Sequence, residues 1–439
     1  MELSQFIGLL GGGGFTIIAF IIALSVIVAI HEYGHYIVGR WCGIHAEVFS
    51  IGFGPVLLSR TDRHGTVWQI AALPFGGYVK FLGDANAASV GSDTPEQTVD
   101  SRRTMAGAPL WARAATVAAG PIFNFILAIL IFAGYLMSLG KPVDPATFAG
   151  EHPLPAEMVS ELRAGDELIA VGGIELGAAE IADLPVVERQ IYTVGRDGDV
   201  LTVEGPPLVP SRISGLTPRS AADEAGLKID DVIVGIDGNS IAAFDQIVEA
   251  VTAAEGDPLE LRVWRDGQEL DFTLAPRRSD LPLPEGGFET RWLIGISGNV
   301  FFEEMTERVG VWEALTQGTE QLWWRITTSL SGLWHIITGG ISTCNLSGPV
   351  AIAQASGSMA SQGGGSFILF IGMLSAAVGL LNLFPIPVLD GGHLVFYAYE
   401  AVARRKPTER ALQVLMFAGL TVIGALMIFA LLNDLVLCP

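Results

Sequence analysis

Val26-Ile-Val-Ala-Ile-His31-Glu32-Tyr33-Gly34-His35 is the stretch on which the fold turns. An apolar run leads straight into two histidines and a glutamate, and residues 3–31 contain no Asp, Glu, Lys or Arg. That run exceeds the roughly 20 residues a helix needs to cross a bilayer. On a helix, positions i and i+4 share a face. Both imidazoles can therefore grip one ion, with Glu32 beside the remaining coordination position. A glutamate between two histidines is costly in lipid unless it faces a polar cavity or an ion, so this span carries a chemical site.

The rest of the chain agrees with a membrane reading. Of 439 residues, 50% are hydrophobic and 16% charged, with a mean hydropathy of +0.47. A soluble domain carries about 25% charged residues. Disorder, collagen and coiled coil are excluded, and a net charge of −21 argues against a nucleic-acid partner. Three cysteines fit neither a disulfide framework nor a cysteine-rich zinc module. Charge-free stretches recur at 114–140, 326–389 and 411–433. The expected architecture is a polytopic α-helical membrane protein with four transmembrane helices, at about 15–38, 115–139, 367–385 and 411–433. Trp323, Trp324 and Trp334 suit an interfacial amphipathic helix followed by a Gly-rich loop. The N-terminus has no basic n-region or cleavage site, so the first span is expected to be retained.

Lys and Arg in the short loops set the expected orientation. Arg40, Arg60, Arg63, Lys80, Arg102, Arg103 and Arg113 lie between the first two spans; Arg404, Arg405, Lys406 and Arg410 lie between the last two. Positive-inside reasoning puts both loops in the cytoplasm and both termini outside. Segment 141–310 then also lies outside, and it holds 32 acidic and 13 basic residues. Within it, Leu162-Arg-Ala-Gly-Asp-Glu-Leu-Ile-Ala-Val-Gly-Gly173 repeats as Leu227-Lys-Ile-Asp-Asp-Val-Ile-Val-Gly-Ile-Asp-Gly238, which points to two small β-rich domains. The second copy resembles a PDZ domain through Ile213-Ser-Gly-Leu216 and Ser220-Ala-Ala-Asp-Glu-Ala-Gly-Leu227. PDZ domains take extended peptides or C-termini as an added strand. The first copy is degenerate. The expected domains are 1–140, with two spans, HExxH and a membrane-associated β region; 141–208 and 209–280, the PDZ pair; 281–345, a linker and interfacial helix; and 346–439, the last two spans.

An open zinc site needs three protein ligands and a free position. Asp390, in Asn382-Leu-Phe-Pro385-Ile-Pro387-Val-Leu-Asp390-Gly-Gly-His393, ends the third span. Counting spans brings it to the same membrane face as His31 and His35. His393 is the competing ligand, with a supporting or loop position the simpler reading. Pro385 and Pro387 break the helix and free carbonyls that only protein or a cavity can satisfy at depth. His45, His64, His152 and His335 are isolated and read as structural or exposed.

HEYGH ending a first span, an Asp-Gly pair after a third and a PDZ region between them resemble the site-2 protease family of intramembrane zinc metalloproteases. Ser50-Ile-Gly-Phe-Gly54, Leu73-Pro-Phe-Gly-Gly-Tyr-Val-Lys80, Gly120-Pro-Ile-Phe-Asn124 and Leu346-Ser-Gly-Pro-Val-Ala-Ile352 extend the likeness over nearly the whole chain. The resemblance implies Zn²⁺ on His31, His35 and Asp390, with Glu32 as general base. It associates Asn382, Asn124, Gly52, Gly54, Pro385 and Pro387 with substrate. It also implies a bacterial inner-membrane protein acting on pre-trimmed single-span proteins, such as an anti-sigma factor or signal-peptide remnants, with the PDZ pair as a size filter. Two other readings stay open: a non-catalytic PDZ-bearing receptor or scaffold, and a metal transporter.

Overall fold

Helix α1, Leu3–Trp41, is apolar on every side, the pattern of a helix surrounded by lipid or protein. It ends where Gly43 takes a φ of 80° and its N–H bonds the Arg40 carbonyl. These helices belong to a computed structural model that describes residues 3–83, 101–143, 146–158, 160–175, 188–283 and 286–437. Strands β1, Ala46–Thr61, and β2, Val67–Phe81, follow as a hairpin. Val48 partners both Lys80 and Val67, so the ribbon folds back over itself. At its tip, Asp62 accepts the backbone N–H groups of His64 (2.8 Å) and Thr66 (3.0 Å) in a side-chain-closed turn. The same carboxylate takes Tyr36 Oη from α1 at 3.0 Å and Trp68 Nε1 at 3.2 Å, tying the hairpin to the first span. Helix α2, Leu110–Leu139, carries Pro121 inside it.

The chain divides into two units: Met1–Tyr135, Trp312–Leu330 and Leu346–Pro439 form one, and Leu136–Val311 with Ser331–Asn345 the other. The second unit contains β3 (Lys141–Pro142) and β4 (Phe148–Glu151). A four-stranded antiparallel sheet follows, built from β5 (Glu167–Val171), β6 (Ile174–Glu175), β7 (Gln190–Arg196) and β8 (Asp199–Gly205), in the order β6-β5-β7-β8. Next come β9 (Gly215–Leu216) and α3 (Ala221–Ala225). A second sheet comprises β10 (Val232–Ile236), β11 (Asn239–Ser240), β12 (Leu259–Arg265) and β13 (Gln268–Leu274), ordered β11-β10-β12-β13, with α4 (Phe244–Ala253) between β11 and β12. The two orders match, so the repeat read in the sequence is a repeat of structure. Each copy also has the same internal strut. Asp166, 1% exposed, takes two bonds from Arg196 and one from the Arg163 N–H; Asp231 takes the same set from Arg265 and the Lys228 N–H.

Beyond the second sheet lie β14 (Arg277–Pro282), β15 (Phe288–Leu293), β16 (Ile296–Ser297), β17 (Phe302–Glu304) and β18 (Thr306–Glu307). Part of the segment expected as linker thus completes both copies. Strand β16 pairs with β9, and β17 pairs with β4, so the chain finishes the second copy and then returns to the first. Phe301 and Phe302 are buried in the first copy's core beside Phe148 and Tyr192. Two-residue and three-residue strands have too little periodicity to be read in advance.

Helix α5, Val311–Thr338, carries the exposed Trp312, Trp323 and Trp334. Where a Gly-rich loop was expected, residues Pro349–Ser361 form helix α6, with Pro349 in its first turn. Its cap is tertiary. Asp434 accepts the N–H groups of Gly348 (2.9 Å), Val350 (3.0 Å) and Ala351 (3.0 Å). Helices α7 (Gly364–Asn382), α8 (Asp390–Ala403) and α9 (Glu409–Leu432) complete the first unit. Among the described residues, four helices are long and apolar enough to span a membrane: Gly13–Trp41, Leu110–Leu139, Gly364–Asn382 and Glu409–Leu437. All four spans are those expected. The third stops before Pro385 rather than at it, because the helix cannot run into two prolines.

Candidate metal centre

On α1, His31 and His35 stand one turn apart with their Nε2 atoms 3.2 Å from each other. Asp390 Oδ2 lies 3.2 Å from His31 Nε2 and 3.4 Å from His35 Nε2. Zinc bonds of about 2.0–2.1 Å at tetrahedral angles hold ligand atoms about 3.3 Å apart, so this triangle has the right size for one ion. Two further observations fit. Asp390 Oδ2 is buried with no hydrogen-bond partner, as expected of an oxygen turned toward a cation. A Cβ at Gly120 would overlap His35 Nε2 and lie 2.7 Å from His31 Cε1, so only glycine leaves room for the imidazoles. Among the described residues, this is the one group of three or more His, Cys, Asp or Glu side chains able to share a metal.

The far side of each ring is also engaged. His35 Nδ1 donates to the Thr116 carbonyl at 2.8 Å, leaving Nε2 as the free lone pair. That carbonyl lies on α2 one residue before Val117, whose own carbonyl faces the missing N–H of Pro121. His31 Nδ1 is 3.2 Å from the Asn124 amide, whose Oδ1 is otherwise buried and unpartnered. Turning the amide over puts that oxygen on the Nδ1–H and satisfies both groups. Asn124 therefore meets the His31 ring on its Nδ1 side, opposite the Nε2 that faces Asp390. Ser375 Oγ holds its backbone carbonyl at 2.9 Å.

Asp390 reaches the site by a less regular route. It opens α8 after a loop in which Val388 has a φ of 109°, unusual for a β-branched residue. A Cβ at Gly391 would overlap the Leu383 carbonyl oxygen, and one at Gly392 would overlap that of Ile386. The loop can fold down onto the start of α8 only over these two glycines. Further along α8, Glu400 takes a bidentate pair from Arg113 of α2, at 3.0 and 2.7 Å, while Arg113 Nε donates to the Ala108 carbonyl. Arg113 is 8% exposed, and its guanidinium also lies 5.1 Å over the Tyr397 ring. These two bonds hold the Glu400 carboxyl below its ordinary pKa. One helix, α2, thus braces both halves of the site: Thr116 fixes a histidine, and Arg113 fixes the helix that delivers the aspartate.

Glu32 is directed into the same cavity, about 370 Å³, with the Val79 backbone of β2 against its carboxylate. Tyr78, Asn382, Val388 and His393 share the cavity wall. His393 is not among the three side chains that could share an ion. Pro385 and Pro387 lie in the loop before α8 and do not line the cavity. Gly52 and Gly54 lie on β1 with φ of 91° and 84°, where the hairpin register shifts. Of the isolated histidines, His64 meets Arg40 and His335 bonds the Ser331 carbonyl. The roles of Thr116, Arg113 and Glu400 leave no signal in the sequence, where Arg113 reads only as a loop charge, because a carbonyl and an interhelix ion pair have no motif.

Comparison with known proteins agrees with this geometry. The model of peptidase family M50 matches residues 19–426. A protein of Agrobacterium fabrum named as a zinc metalloprotease is 37% identical over 428 residues, covering 95% of each chain. A Vibrio cholerae protein of the same description is 31% identical over 95% of this chain and 97% of its own. The regulator of sigma-E protease RseP of Salmonella typhimurium is 34% identical over 452 residues, again covering 95% and 97%. A receptor without catalysis and a metal transporter are thereby set aside: this chain belongs to peptidase family M50 and is a membrane zinc metalloprotease of the site-2 type.

Proposed function

We propose that the chain cleaves single-span membrane proteins inside the bilayer after a first protease has trimmed them. The observation that carries this reading is the 3.2–3.4 Å triangle of His31, His35 and Asp390 beside Glu32, in a unit containing all four apolar spans. Zinc held there would act as a Lewis acid and lower the pKa of a water to about 7. Glu32 would take the proton of the attacking water and return it to the leaving amide nitrogen. His35, held by Thr116, and His31, held by Asn124, would stay fixed while charge develops. A helical substrate has no free backbone groups, so it must unwind first; the β1–β2 ribbon, bent at Gly52 and Gly54, would receive it as an added strand. Asn382, on the cavity wall, is the proposed contact to a substrate carbonyl. Pro385 and Pro387 would shape the loop beside it.

The two sheet modules are proposed to be a PDZ pair that excludes bulky ectodomains and lies outside a bacterial inner membrane, with the metal centre toward the cytoplasm. Loop charge supports that orientation, and so does cysteine chemistry. Cys344 is disulfide-bonded, as suits an oxidising outside. The proposed substrate is an anti-sigma factor in an envelope stress response, in keeping with the Salmonella relative's name as a regulator of sigma-E; signal-peptide remnants are a second class.

The test co-expresses the chain with a single-span protein in full-length and pre-trimmed forms. Pro142 and Thr306 are paired neighbours, so excising 143–305 leaves ends that join readily. Intact protein should cut the trimmed form alone, Glu32→Gln neither, and the excised protein both. Unchanged discrimination after excision removes the filter. Cleavage by Glu32→Gln removes the mechanism.

A further inference from the structure

The fourth span contributes none of the metal-holding side chains, yet it touches the loop that delivers one. Met416, on α9, lines the metal-site cavity, and one turn further on lies Gly419, the buried residue of that helix. A Cβ at Gly419 would overlap the Pro387 carbonyl oxygen and come within 2.8 Å of the Pro387 carbon and 3.2 Å of its Cβ. The obstacle is backbone, so no side-chain rotation could relieve it. On the other side of the same peptide, Val388 is held at a φ of 109°, two residues before Asp390. Such a conformation persists only where the surroundings enforce it. The Leu389 N–H bonds the Ile386 carbonyl (3.0 Å) and the Gly392 N–H bonds that of Leu389 (3.0 Å), so the turn is closed on itself and moves as a piece.

We propose that Gly419 is a positioning residue for the metal centre: by letting the Pro387 carbonyl rest directly on α9, it seats the 383–389 turn at the depth that brings the Asp390 carboxylate to His31 and His35. Any side chain at position 419 lifts the turn and draws Asp390 off the triangle. The inference rests on His31, His35 and Asp390 being the zinc ligands. Zinc content of the parent protein and its loss in His35→Ala check that reading independently.

Gly424, five residues along the same helix, gives an internal control, because a Cβ there meets nothing within 4 Å. The experiment measures zinc release from the purified full-length protein to a chromogenic chelator, for the parent, Gly419→Ala and Gly424→Ala. Thermal unfolding of each zinc-stripped protein is followed in parallel. Gly419→Ala should release zinc at least about tenfold faster, a change of roughly 1.4 kcal/mol. Gly424→Ala should stay within about twofold of the parent, and the stripped proteins should unfold at similar temperatures. Activity of Gly419→Ala should recover as zinc is added.

If Gly419→Ala does not accumulate, Val388→Gly is added to it, since glycine at that turn can absorb the displacement. A folded double variant with fast zinc release supports the proposal. Parent-like zinc retention in either folded Gly419 variant overturns it. So does equal zinc loss from Gly424→Ala, or a stripped Gly419→Ala that unfolds far below the parent, which would make the role one of general packing.

Discussion

The two halves of the metal centre are built in opposite ways. His31 and His35 come from the interior of a regular helix, one turn apart, and their spacing follows from helical geometry alone. Asp390 comes from an irregular turn with a residue at positive φ, pressed over Gly391 and Gly392 and joined to α2 by an ion pair at the other end of α8. In the first half the spacing of the two rings is set within one helix, while Gly120 and Asn124 of α2 shape what lies around them. The second depends on backbone contacts that any Cβ disturbs. A site assembled this way has one half set by local geometry and one half set by the neighbours, and substitutions should reveal which is which.

The sharpest separation lies between chemistry and ligation. Glu32→Gln should reduce cleavage by about 10²–10⁴-fold with zinc content unchanged, whereas His31→Ala, His35→Ala or Asp390→Asn should empty the site. Metal analysis beside a cleavage assay reads both, and zinc loss in Glu32→Gln would put the glutamate among the ligands. Asn124→Ala comes next. Without its amide, His31 loses the partner behind the ring, and zinc affinity should fall about 10–100-fold. Chelator competition measures it, and an unchanged affinity with altered KM would return Asn124 to a substrate role.

The brace on the aspartate half should show a smaller effect. Glu400→Gln leaves the buried Arg113 guanidinium facing a neutral amide, and a hydrogen bond to a charged group contributes about 1.5–3 kcal/mol. Thermal stability should drop by that order, with zinc released faster, while the α1 half is unaffected. A variant that keeps both its stability and its zinc would break the distinction.

The mildest prediction concerns pH. Although burial acts to raise it, four bonds to Asp62, from Thr66, His64, Trp68 and Tyr36, bring its pKa from 3.8 down to about 2. The lowered value means that this carboxylate stabilises the hairpin above pH 3.8 and loses the effect as pH falls toward 2. Asp62→Asn should lower stability at neutral pH, where the ionised carboxylate contributes, and leave stability near pH 2 little changed, so that the acid-dependent part disappears. An identical acid profile in the variant would show that other carboxylates carry it.

What could be read from the sequence follows the same division. HEYGH was legible because i and i+4 are local, and Asp390 because counting spans needs nothing but hydropathy. The four spans were legible for the same reason. Helix α6 was not: Gly and Ser dilute its pattern, and its capping carboxylate, Asp434, lies 86 residues from Gly348. Nor were Thr116, Arg113, Glu400 and Gly419, whose roles exist only once helices distant in the chain have been packed together. Asn124 stands within a legible motif, but its position behind His31 follows only from the packing of α1 against α2.

Strand β17 carries a consequence for how the molecule is made. The first sheet module begins at Phe148, but its core is closed by Phe301 and Phe302, which leave the ribosome after the whole second module. The module synthesised first is therefore the last to be finished. Until then its apolar interior is an open flank, with the second module lying in the chain between the parts that close it. Any agent that guards nascent chains would meet this protein at one defined interval, between the emergence of residues 205 and 302.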